Sequence, residues 1–106
     1  MHNQPDANEP RIKIMQAIAS NRLLTARYNG QNLTLAPHAL FARREELFVS
    51  ALNLAKNWRS ADERRLGYFK LSGLAEVEVT REPFEALPDA AASLPRPGDQ
   101  LLLAVD

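Results

Sequence analysis

The sequence predicts a mainly β protein of the α+β kind: one N-terminal helix followed by a small antiparallel β-barrel of about five strands. Three runs predict it: Tyr28-Asn29-Gly30, Leu47-Phe48-Val49-Ser50-Ala51 and Phe69-Lys70-Leu71-Ser72-Gly73-Leu74. Each mixes β-forming side chains with a small or turn-forming residue. Asn-Gly favours a type I′ hairpin turn, because both residues accept positive φ.

The elements follow in order. Residues 1–9 are polar and without periodicity, and are expected to be disordered. Pro10 suits the first turn of a helix, where its missing N–H is not needed. The helix is expected to run to about Ser20, with Asn21 as its stop. Ile12, Met15, Ile18 and Ala19 fall at helical spacing and are expected to pack on the core. Leu23 to Tyr28 reads as a strand with Leu24, Ala26 and Tyr28 on one face. Gln31 to Phe41 reads as the next, with Leu33, Leu35, Ala39 and Phe41 sharing a face. Pro37 removes a ladder donor there, so an edge, a bend or a bulge is expected.

Arg43-Arg44-Glu45-Glu46 reads as a charged turn. Leu47 to Leu54 is apolar on both faces and therefore central. Ala55 to Arg65 is a polar loop holding Trp58. Leu66 to Leu71 and Ala75 to Thr80 are two further strands, separated by Ser72-Gly73. Val77 and Val79 are expected inward, Glu76 and Glu78 outward. Arg96-Pro97-Gly98-Asp99 is a turn signal before a last apolar run, Leu101 to Val105, that suits an edge strand or a cover over the barrel. The expected organisation is a barrel domain over residues 10–84 and a C-terminal extension over 85–106.

The composition fits one globular domain: 106 residues, 45% hydrophobic and 25% charged. The absence of cysteine excludes disulfides and thiolate metal sites. No run is apolar enough to span a bilayer and no signal pattern opens the chain, so a cytoplasmic location is expected. Net charge zero conceals an asymmetry. Residues 11–70 carry eleven Lys or Arg against four acids, a net +7, and residues 71–106 carry two against seven, a net −5. A basic body suits an anionic ligand or nucleic acid; an acidic tail folded back on it would give the same numbers.

The ordered set of motifs resembles the WYL domain, named for Trp-Tyr-Leu, over roughly residues 11–84. Leu47-Phe48-Val49 stands at the name-giving tripeptide, with Ala51 at the family's Ala and Asn53 where an Asp is common. Phe69-Lys70-Leu71 stands for the family's Phe-Arg-Leu, and Leu74 for its Ile. The resemblance implies an SH3-like or Sm-like barrel. It also implies a regulatory, ligand-sensing role in bacteria, often in transcription regulation. Nucleotides or single-stranded nucleic acid are the ligands implied. Gly67 and Gly73 stand where the family often carries arginines of its anion pocket; Arg64 and Arg65 are the candidates to replace them. A DNA-reading helix-turn-helix needs two helices, and one is predicted.

The candidate ligand-binding residues are Tyr28, His38, Phe48, Ser50, Arg64, Arg65 and Lys70. The arginines and Lys70 suit a phosphate, which Arg grips in a bidentate fork. Tyr28 can stack on a base or fill the barrel end as a cross-strand partner. His38 can meet an anion and titrate near neutral pH, or decorate the surface. Phe48 is a lining or core residue, and Ser50 in a central strand needs a hydrogen-bond partner if buried. No cofactor or metal is expected: two histidines without acidic spacing make no metal site. No phosphate loop, nucleophile elbow or His-Glu-x-x-His is present, and the reading is of a non-enzyme. The alternative is an interaction or assembly module with a degenerate pocket, acting as a homodimer or on a regulator partner through the Leu101–Val105 edge.

Overall fold

A computed structural model describes residues 9–54, 66–87 and 98–105 of the protein. Helix α1 (Glu9–Ser20) is followed by six strands: β1 (Arg22–Tyr28), β2 (Gln31–Arg43), β3 (Glu46–Asn53), β4 (Gly67–Lys70), β5 (Leu74–Pro83) and β6 (Gln100–Ala104). A 3-10 turn, Leu71–Gly73, joins β4 to β5. The sheet is antiparallel with the order β4-β3-β2-β1-β5, and β6 pairs with β2 beside that path. Over the described residues the protein is thus mainly β with one α-helix. Of the two roles open to the last apolar run it takes the strand, β6, and β3 is central, with Val49 to Leu52 buried.

The barrel is not closed. The two ends of the path, β4 and β5, are brought to one corner by the three-residue turn, so the sheet must curl. Yet β4 is four residues long and pairs along β3, while β5 pairs along β1. No ladder joins β4 to β5 among the described residues.

At two turns, left-handed residues fall where the side chain, or its lack, allows them. Asn21 ends α1 at φ 52°, its N–H donating to Ile18 O over 3.3 Å. Asn29 and Gly30 take φ 52° and 79° and close a two-residue hairpin on the pair Tyr28–Gln31.

Two face assignments from the sequence are corrected. On α1 the buried stripe is Ile14, Ala17 and Ile18, whereas Ile12 and Met15 are 47% and 38% exposed and Ala19 is exposed too. The helix carries two apolar stripes on opposite sides, and the 3.6-residue period alone cannot choose between them. On β2 the bulge appears where Pro37 predicts it, as a register shift between Pro37 and Ala39 against β3. The extra residue, His38, reverses the parity of all that follows. Leu33 and Leu35 face the main core before the bulge, and Leu40, not Ala39 or Phe41, faces it afterwards.

That main core joins Ile14 and Ile18 of α1 to Leu24, Leu35, Leu40, Val49, Val77 and Val105 from the strands. A second, small cluster, Leu23, Ala36 and Leu52, is covered by Leu66, Phe84 and Leu87. The bulge also divides the far edge of β2: residues 31–35 pair with β1 and residues 39–42 with β6.

Candidate functional site

The parity change has a consequence at the second half of β2. Register partners across a ladder share a face, so Leu101, Phe41, Phe48 and Lys70 form one cross-strand row over β6, β2, β3 and β4. Ala104, Ala39, Ser50 and Tyr68 form the adjacent row. This face turns away from the main core. Phe41 is fully buried at its centre, stacked on Phe48 (centroids 5.6 Å, planes 13° apart) and met edge-on by Tyr68 at 6.0 Å. Tyr68 itself is 51% exposed.

Arg43 lies over both phenylalanines, its guanidinium carbon 5.5 Å from the Phe41 centroid and 5.2 Å from that of Phe48. Its Nε and Nη2 donate to the two carboxylate oxygens of Asp99, each over 3.0 Å. The fork and its charge push the Arg43 guanidinium up from its ordinary range. The arginine is therefore committed to Asp99. Lys70 is different: its Nζ is 3.4 Å from Glu46, and both side chains are about half exposed. Such a pair exchanges readily with solvent and other ions.

Beside this face a cleft of about 450 Å³ opens between the start of α1, the start of β3 and the β4–β5 turn. Leu47, Leu71 and Leu74 make its apolar floor; Arg11, Lys70, Ser72 and Glu46 give it polar groups. A volume of this size is typical of small-ligand sites. Lys70 belongs to both the cleft and the aromatic face.

Of the residues predicted to bind a ligand, the fold gathers Phe48, Ser50 and Lys70 on one face, with Ser50 buried in the row below. Tyr28 lies on the core side, edge-on to Phe69 at 5.2 Å. Its ring covers Gly73, where an added Cβ would approach Tyr28 Cε1 to 2.9 Å. Any side chain at Gly73, an arginine included, would have to displace that ring. At Gly67 the corresponding approach, to Phe69 Cε1, is 3.3 Å.

His38 is no surface decoration. It is fully buried at the bulge, and both ring nitrogens are engaged: Nδ1 with Ala36 O at 2.8 Å, and Nε2 with the Leu87 N–H at 3.0 Å. It has no accessible surface and no nitrogen left for an anion. Arg64, Arg65 and Trp58 lie outside the described residues.

Sequence reasoning missed Tyr68, Phe41 as its support, and the Arg43–Asp99 pair. Tyr68 had a readable signal: it alternates with Phe69 and so must share the face of Lys70. Arg43 and Asp99 are 56 residues apart and have none. Among the described residues no cluster of His, Asp or Glu could hold a metal ion, and no helix is long and apolar enough to cross a membrane. Comparison with protein-family models, curated proteins and solved structures gives no match.

Proposed function

We propose that the protein is a regulatory ligand-binding domain of the WYL type. It binds an anionic nucleotide-like ligand or single-stranded nucleic acid on the β2–β3–β4 face. The observation that carries this reading is the cross-strand pairing of Phe48 with Lys70 beside the half-exposed Tyr68. Aromatic rings on a sheet with a cation at hand are what base stacking and phosphate neutralisation require. Burial of Phe41 beneath both rings holds them in place. The strand order, with β4 and β5 joined by a 3-10 turn, supports an SH3-like or Sm-like ancestry for the curled sheet. Arg64 and Arg65, which precede β4 in the sequence, are the further cations of this reading. The domain acts on transcription or another process through a partner, and its own chemistry is binding.

The test is fluorescence anisotropy with a short labelled single-stranded oligonucleotide at low salt, where the electrostatic contribution is largest. Tyr68→Ala is expected to weaken binding by roughly 5- to 150-fold, since stacking contributes about 1–3 kcal/mol per base. The triple change Arg64→Ala, Arg65→Ala and Lys70→Ala is expected to abolish it. Unchanged affinity in the triple variant overturns the reading.

A second reading rests on β6, where Leu101 and Leu102 are both more than 40% exposed on a strand paired to β2. A protein-assembly role predicts a salt-insensitive dimer by light scattering, broken by Leu102→Lys. A monomer at all concentrations removes it.

A further inference from the structure

His38 ties three parts of the chain together. Its backbone carbonyl accepts the Val105 N–H over 2.9 Å, its Nδ1 donates to Ala36 O, and its Nε2 accepts the Leu87 N–H. A backbone amide can only donate, so Nε2 carries the lone pair and Nδ1 the proton. The ring is a neutral imidazole in a fixed tautomer. Residues 84–87 lie against it: Phe84 is 5.3 Å from the imidazole, centroid to centroid, and Phe84 N–H donates to Asn21 O over 3.0 Å. The same segment, with Leu66, covers the small cluster of Leu23, Ala36 and Leu52.

We infer that His38 is an acid-released latch: a proton taken up at Nε2 frees residues 84–87 from the sheet and uncovers the Leu23–Ala36–Leu52 cluster. Protonation converts the acceptor of the Leu87 N–H into a second donor facing it, so the bond is replaced by a repulsion. The charged imidazolium is at the same time buried. Among the described residues no counter-charge meets it. The charged residues of the strap and of the β5 end before it, Glu85, Glu82 and Arg81, are exposed. The β3 partners flanking the bulge, Ala51 and Ser50, and the β6-side neighbours Ala104 and Val105 are neutral. Burial accordingly lowers the His38 pKa from 6.5, partly offset by the hydrogen bond to Ala36.

The sign follows from linkage. The closed form holds fewer protons than the open one below pH 6.5, the open-state value. The latch is therefore fully closed above that pH. Its opening constant rises by up to about tenfold per pH unit below it, until the lowered value of the closed form is reached.

Hydrogen exchange of single amides in the full chain, corrected for intrinsic pH dependence, tests this. Leu87 N–H is expected to lose protection with that slope as pH falls from about 7.5 to 5, with Phe84 following. Val105 N–H, bonded to the backbone of the same histidine, is expected to keep its protection. Nitrogen spectra at neutral pH are expected to show the Nδ1–H tautomer. Constant protection at Leu87 overturns the inference. So does parallel loss at Leu87 and Val105, which would be global unfolding. Glu85→Gln must leave the profile unchanged, and its disappearance there assigns the titration elsewhere and overturns the latch. His38→Gln is expected to flatten the profile; should it fail to fold, the wild-type exchange pattern still decides.

Discussion

The chain makes the same backbone turn twice with opposite chemistry. Asn29-Gly30 joins β1 to β2 and Arg44-Glu45 joins β2 to β3; both pairs hold positive φ at both residues, 52° and 79° in the first, 52° and 69° in the second. The first turn is made by residues that accept this conformation with little strain. The second forces two residues with full side chains into it. What holds the second turn lies outside it. Arg43 and Glu46 close the hairpin, and each has a distant partner, Asp99 and Lys70. Behind them Phe41 stacks on Phe48. One hairpin is specified locally, the other by contacts with distant segments.

The largest break in this comparison is Phe41→Ala. A fully buried phenylalanine replaced by alanine loses roughly 3–5 kcal/mol, read by denaturant unfolding. The same change also removes the ring under Arg43 and Tyr68. Oligonucleotide binding is therefore expected to fall even under conditions where the variant is folded. Should binding persist at full strength, the aromatic face is not the site.

Exchanging the turn residues sharpens the comparison. Gly30→Glu places a side chain at φ 79° and is expected to destabilise by about 1 kcal/mol. Arg44→Asn with Glu45→Gly is expected to stabilise by a similar amount, because it relieves the same strain at the other hairpin. Equal and opposite shifts in thermal midpoint check both. A loss from the Arg44/Glu45 change would show that these side chains hold something beyond the turn.

The two hairpins also mark what the sequence could disclose. Asn21 and Asn29-Gly30 are legible because their conformation is a property of the residues themselves. Pro37 announced a bulge for the same reason. The parity change after it is equally physical, but it depends on where the extra residue falls, and so Phe41 was expected in the main core rather than at the centre of the opposite face. The two stripes of α1 are indistinguishable by period, and the packing of the sheet decides between them. Phe48, Ser50 and Lys70 converge because alternation is local. Arg43 with Asp99, and His38 with Leu87, depend on contacts between distant segments, to which no local pattern points.

The smallest effect on stability belongs to Glu46→Gln, and it separates turn from ligand. An exposed ion pair contributes at most about 1 kcal/mol, and often nothing measurable. The hairpin is therefore expected to keep its stability within that margin. Lys70, however, loses the carboxylate that competes for it. Binding of an anionic oligonucleotide at low salt is expected to tighten up to about fivefold, the equivalent of that pair energy. The gain should vanish as salt screens the charges. Double substitution with Lys70→Met is expected to erase it, since the removed carboxylate then has no cation to release. If Glu46→Gln tightens binding equally with and without Lys70, the carboxylate acts through general repulsion, and Lys70 does not touch the ligand.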